Sequence, residues 1–137
     1  MLKKIDAADG IILISDCTKP ESLNITEDMK DYIDSNVLSC DKSRVPCIII
    51  ENKIDLLPKE AQMNDTTLKE FSSDNEFYSS FRVSVKDGIN RKESMECLLK
   101  EIIRRKEKYE PTRLRKEEEK KEKEAERRRE KERYYSS

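Results

Sequence analysis

The chain contains no histidine, no tryptophan and only two glycines, Gly10 and Gly88. Without imidazole the commonest general base and metal ligand at neutral pH is gone, so chemistry that depends on it is excluded. Scarce glycine bears on phosphate binding. A loop that wraps a phosphate in backbone amides needs glycine for close approach, in the pattern Gly-x4-Gly-Lys-Ser/Thr, and neither glycine lies in one. Long apolar runs are missing too: nothing approaches the roughly 20 residues that cross a bilayer. The opening MLKKIDAADGIILIS sets two acids before a short apolar stretch and offers no small-residue cleavage site, so a soluble, cytoplasmic protein is expected. Cys17, Cys40, Cys47 and Cys97 form no Cys-x-x-Cys pair and are expected as free thiols, mostly filling core space. A net charge of −1 supplies no overall field for nucleic acid.

At 137 residues there is room for one modest core. Charged residues make up 43% and hydrophobic ones 34%, so part of the chain must lie outside that core. The β-branched run from Gly10 to Ser15 reads as a strand buried on both faces. Thr18, Pro20 and Glu21 then supply a helix start of the capping-box kind, and Leu23, Met29, Ile33 and Val37 carry a helix to about Leu38. A polar loop leads to a second strand at Cys47 to Ile50. A short helix with Leu68 and Phe71 is expected between Asp65 and Asn75, followed by a third strand from Phe81 to Ser84. Asn90 and Glu93 then open a long helix with a stripe of Met95, Leu98, Leu99, Ile102 and Ile103. Lys3 and Lys4 are read as a solvated pair at a helix end. Alternating strands and helices of this length predict an α/β fold with a parallel sheet and helices on its faces.

After Pro111 the character changes. Arg113 to Arg133 holds 11 basic and 8 acidic residues, with only Leu114 and Ala125 uncharged; it carries +3 against −4 for the rest. Glutamates precede basic residues at helical spacing in Glu117/Lys121, Glu119/Lys123, Glu124/Arg128, Glu126/Arg129 and Glu130/Arg133, each pair contributing about 0.2–0.5 kcal/mol to a helix. No apolar seam suits a coiled coil, and no apolar face suits a membrane. Two regions are therefore expected, 1–110 and a charged helical extension 111–137.

The chemistry concentrates behind the second and third strands. Asn52-Lys53-x-Asp55 and Ser84-Val85-Lys86 should both lie at the carboxyl ends of adjacent parallel strands, where open α/β sheets bind ligands. A carboxylate at Asp55 offers two acceptors to the ring N–H and exocyclic amine of guanine, a bidentate match. Asn52 can serve the other polar edge, the stems of Lys53 and Lys86 can lie against the ring faces, and the Val85 amide can donate to the base carbonyl.

"ADGIILISDCTKPESL", "IIIENKIDLL" and "FRVSVKDGIN", in this order and spacing, resemble the second half of a Ras-superfamily small GTPase, most closely the Rab branch, over about Ala7 to Lys106. The resemblance implies a partial P-loop-NTPase-type (Ras-like) three-layer sandwich of about three parallel strands with flanking helices. It implies base-specificity roles for Asn52, Lys53 and Asp55, and a second base-contacting loop at Ser84, Val85 and Lys86, where the family usually has alanine at the place of Val85. GTP or GDP is the implied ligand.

Measured against that family, Met1 falls about where the second helix ends. The phosphate loop, the Asp-x-x-Gly element, the switch threonine and the Mg2+ site are not encoded, so no GTP hydrolysis is expected from this chain alone. The last cysteine is Cys97, so no carboxyl-terminal prenyl anchor is expected. An open strand edge beside Gly10 to Ser15 calls for either a missing amino-terminal half or a covering protein partner. In its full form the implied protein is a guanine-nucleotide-dependent switch. The alternative is a nucleotide-free pseudo-GTPase serving as a structural or adaptor subunit of a cytoskeletal or ciliary assembly, docked through the charged helix.

Overall fold

The computed structural model describes residues 7–39, 42–62 and 64–136. The expectations for Lys3, Lys4 and Cys40 fall outside these residues. The chain divides into two compact units, Met1–Ile103 and Arg104–Ser137.

In the first unit three strands form one parallel sheet in the order β1-β2-β3: β1 Ile11–Asp16, β2 Cys47–Asn52 and β3 Ser79–Arg82. Between them lie α1 Glu21–Asn36, a single 3₁₀ turn Ile54–Leu56, the one-turn α2 Lys59–Gln62, and α3 Thr66–Asp74. The last helix, α4, spans Arg91–Ser136.

β2 is apolar on both sides because both of its faces are covered. Cys47 and Ile49 point into one core with Leu13 of β1, Ile33 of α1, Leu68 of α3, and Val37, Val45 and Phe77 from the connecting segments. Ile48 and Ile50 point into the other with Val83 and Leu98, flanked by Ile12 and Ile102. This period-two division is what a central strand between two helical layers requires. Burial pushes the Cys47 thiol up to about 12, so it stays protonated and acts as a small apolar filler. Lys30 is buried beside the first core, where its ammonium meets both Asp34 oxygens at 2.7 and 2.6 Å and lies 5.3 Å from the centre of the Phe77 ring. The apolar spacing of α1 gave no sign of it.

Several local expectations differ from the structure. Thr18 does not cap α1: Pro20 occupies that place without a side-chain cap, while Thr18 turns back to Asp16. The third strand begins at Ser79 rather than Phe81, because Tyr78 already donates to the Cys47 carbonyl at 2.8 Å. Ser84 leaves the ladder and pairs with Ile89 across a tight loop, whose Gly88 has φ +73°, a conformation that favours glycine. Asn90 sits at φ 55° and spends its side-chain amide on the Arg82 carbonyl instead of capping α4. Of the α4 stripe only Leu98 is buried and Ile102 half-buried, while Met95, Leu99 and Ile103 remain exposed. Among the described residues no strand covers the free edge of β1, and Ile14 is 63% exposed.

In the second unit, Arg104–Ser137, α4 continues with Pro111 in its interior, which removes one backbone donor. Its ion pairs include Arg113 with Glu110, and Arg115 with Glu119 at 4.0 Å; the five glutamate–cation spacings expected from sequence form no ion pair among the described residues. Exposed helix pairs are worth so little that long side chains readily stay extended in water.

Replacing Ile49, fully buried in the first core, by alanine should cost about 2–5 kcal/mol of unfolding free energy in chemical denaturation. The same change at exposed Ile14 should stay within about 0.5 kcal/mol of the parent.

Candidate functional site

The parallel register places the carboxyl ends of all three strands together. Asp16 sits opposite Asn52, and Glu51 opposite Arg82. Each chain segment therefore leaves the sheet at the same end, and the loops behind the strands are neighbours.

Three polar contacts run between these loops, and three more lie within them. Lys53 leaves β2 in the left-handed region at φ 68°, a conformation that costs a side-chain-bearing residue of order 1–2 kcal/mol. Its ammonium donates to Asp16 Oδ2 at 2.8 Å. The other Asp16 oxygen accepts from the Thr18 amide at 2.9 Å and hydroxyl at 2.6 Å. From Ser84, buried, the hydroxyl donates to Asp55 Oδ1 at 2.8 Å and accepts from the Asp87 amide at 3.1 Å. Asn52 Oδ1 accepts from the Val85 amide at 3.3 Å.

Electrostatics follow this geometry. The Lys53 ammonium, with the two Thr18 donors behind it, holds the Asp16 carboxyl well below the usual carboxylate range, and Asp16 raises Lys53 in return. A second pair lies on the strands themselves: Arg82 Nη2 meets Glu51 Oε1 at 3.1 Å, with both side chains largely buried. Arg82 Nη1 donates to the Ala61 carbonyl, and to the Asn64 carbonyl at 2.7 Å, so the α2–α3 segment is pinned to β3. The Arg82 Nε is buried with no partner among the described residues.

Two hollows adjoin this end. A cleft of about 310 Å³ is lined by Asp16, Cys17, Leu23, Glu51, Leu68 and Arg82 among others. On the opposite face a smaller one of about 160 Å³ lies between Ile14, Ile50, Asn52, Val85 and Met95, and it is almost wholly apolar. Burial pushes the Cys17 thiol up as well, with Glu51 and Asp16 adding to it.

Asn52 and Val85, and Asp55 and Ser84, are thus brought together by direct contacts, while Lys53 turns to Asp16. Lys86 is exposed beside them. The Val85 amide, expected to face a base carbonyl, is occupied by Asn52, so it would have to exchange partners to serve a base. Among the described residues, Asn52 Nδ2 and Asp55 Oδ2 make no hydrogen bond. No Gly-x4-Gly-Lys-Ser/Thr cradle for phosphates accompanies these residues in the sequence. Asp16, Thr18, Glu51 and Arg82 were not anticipated as site residues. The signal for the first two was an Asp-x-Thr placed directly behind a buried strand.

The Ras family model matches residues 2–104. The chain belongs to the Ras family. Among curated relatives it is similar to the Ras-related protein Rab-7L1 of Homo sapiens, 27% identical over 97 residues, which is 71% of this chain and 47% of the relative. The Pongo abelii Rab-7L1 matches at the same identity and coverage. The chain therefore spans about half the length of the curated relatives it matches, and as a Ras-family member it is Rab-like. The three parallel strands, flanking helices and long carboxyl-terminal helix are a partial Ras-like α/β fold, and the family is one of GTP- and GDP-binding proteins.

A depressed Asp16 means that the Asp16–Lys53 contact contributes fully above about pH 5, and that the contribution declines as pH falls below about 4, the range of a free aspartate. In an NMR titration the Asp16 carboxyl should remain ionised where other aspartates protonate, and Lys53→Ala should move it part of the way back up, the Thr18 donors remaining. An ordinary Asp16 titration in the parent would contradict the contact.

Proposed function

We propose that the loops at the carboxyl ends of β2 and β3 read a guanine base, and that this chain supplies the base-reading part of a Rab-like guanine-nucleotide switch. The observation that carries this reading is the Ser84 Oγ to Asp55 Oδ1 hydrogen bond. It joins the two loops and leaves Asp55 Oδ2 and the second lone pair of Oδ1 to accept from the base. Asp55 takes the ring N–H and exocyclic amine, Asn52 Nδ2 donates to the base's other polar edge, and the stem of Lys53, tethered at its tip by Asp16, covers one ring face. Ser84 orients Asp55 rather than touching the base. The sequence carries no Gly-x4-Gly-Lys-Ser/Thr loop to hold the phosphates of such a nucleotide.

A second reading is favoured by the exposed apolar residues Ile14, Met95, Leu99 and Ile103 together with the solvated helix of the second unit. In it the domain is a nucleotide-free structural or adaptor subunit in the cytoplasm, a protein partner covers the free edge of β1, and the charged helix docks on a cytoskeletal or ciliary assembly. Nucleotide specificity separates the two. GDP should raise the melting temperature of the purified chain while ADP at equal concentration does not, and Asp55→Ala should abolish the GDP effect. Equal shifts with GDP and ADP, or an undiminished GDP shift in Asp55→Ala, would reject base reading.

A further inference from the structure

The second unit presents a feature that net charge hides. At 3.6 residues per turn, Arg113, Lys116, Lys120, Lys123, Arg127 and Lys131 fall within an arc of about 80° on the helix. No glutamate between Arg113 and Arg133 shares that arc. The six side chains are exposed, and they run over about 27 Å at 1.5 Å per residue, one cation every 5 Å or so. Arg113 is paired with Glu110; among the described residues, Lys116, Lys120, Lys123, Arg127 and Lys131 make no ion pair.

Acidic residues border the row on both sides. Glu117 and Glu124 follow it at one edge, and Glu119, Glu126 and Glu130 at the other. A single row of cations between two rows of carboxylates is narrow. A nucleic-acid duplex or a lipid surface presents negative charge over a width that reaches the flanking glutamates, so both are repelled at the margins. A second copy docked row to row would set like charge against like. What the row fits is one slender polyanion of polypeptide width.

We propose that this row is a docking track for an acidic polypeptide segment, a flexible glutamate-rich stretch of a partner protein. Its carboxylates replace water along the row, and the flanking glutamates exclude broader anions. The track acts through charge alone, so it needs no apolar anchor, and its occupancy falls with salt. It is independent of whether the first unit binds nucleotide.

The test uses the full chain and fluorescent poly-L-glutamate of about 30 residues, long enough to cover the row. Two triple variants change net charge equally: Lys116→Glu/Lys120→Glu/Lys123→Glu within the row, and Lys121→Glu/Arg128→Glu/Arg129→Glu outside it. Fluorescence anisotropy should show binding to the parent at about 50 mM salt that weakens at least several-fold at about 200 mM. The row variant should lose about ten-fold or more in affinity, and the off-row variant less than about two-fold, with helix content unchanged by circular dichroism. Equal losses in the two variants would show that net charge alone is read, and would overturn the track. So would absence of binding by the parent, tighter binding of a DNA duplex or a phosphatidylserine vesicle, or self-association of the chain through the same row.

Discussion

The structure depends on the double burial of β2. Four consecutive residues, Cys47 to Ile50, are apolar and covered on both faces, so this strand can only be central, and it pairs on both edges. A one-residue slip would exchange Cys47 and Ile49 with Ile48 and Ile50 between two differently shaped cores. Register is therefore fixed, and with it the place where Asn52 leaves the sheet. Everything polar at that end, from Asp16 to Ser84, is positioned by an apolar constraint several residues away.

On that frame the site is preorganised by the chain's own hydrogen bonds. Lys53 adopts an unfavourable backbone conformation whose cost is offset by the Asp16 contact and by burial of neighbouring Ile54. The Glu51–Arg82 pair adds a second tie between β2 and β3 one residue before the polar loop. A ligand meeting such a site loses less freedom in ordering it.

Much of this was legible in the sequence. Apolar runs of strand length separated by helical spacing gave the parallel α/β order, and Asn52-Lys53-x-Asp55 with Ser84-Val85-Lys86 stood out as polar letters directly behind those runs. What periodicity could not show was polar side chains acting across space. Lys30 is buried beside Phe77 because Asp34, one turn on, satisfies it. Thr18 carries the letters of a helix cap but bonds Asp16, since an acceptor with two oxygens lies two residues back. Glu51 and Arg82 look like ordinary surface charges until the register sets them opposite each other. The stripe on α4 is only partly covered, which shows that amphipathic spacing reports capacity for burial, not burial itself.

The two units rest on different physics: the first on apolar packing around β2, the second on a helix whose contacts are with water and charge. The central claim concerns the first, that Ser84 and Asp55 join the two loops as one unit. A double-mutant cycle with Ser84→Ala, Asp55→Ala and the double variant, read by chemical denaturation, tests it most directly. The account predicts a coupling energy of about 0.5–1.5 kcal/mol, that of a hydrogen bond. Additive effects of the two substitutions would contradict it.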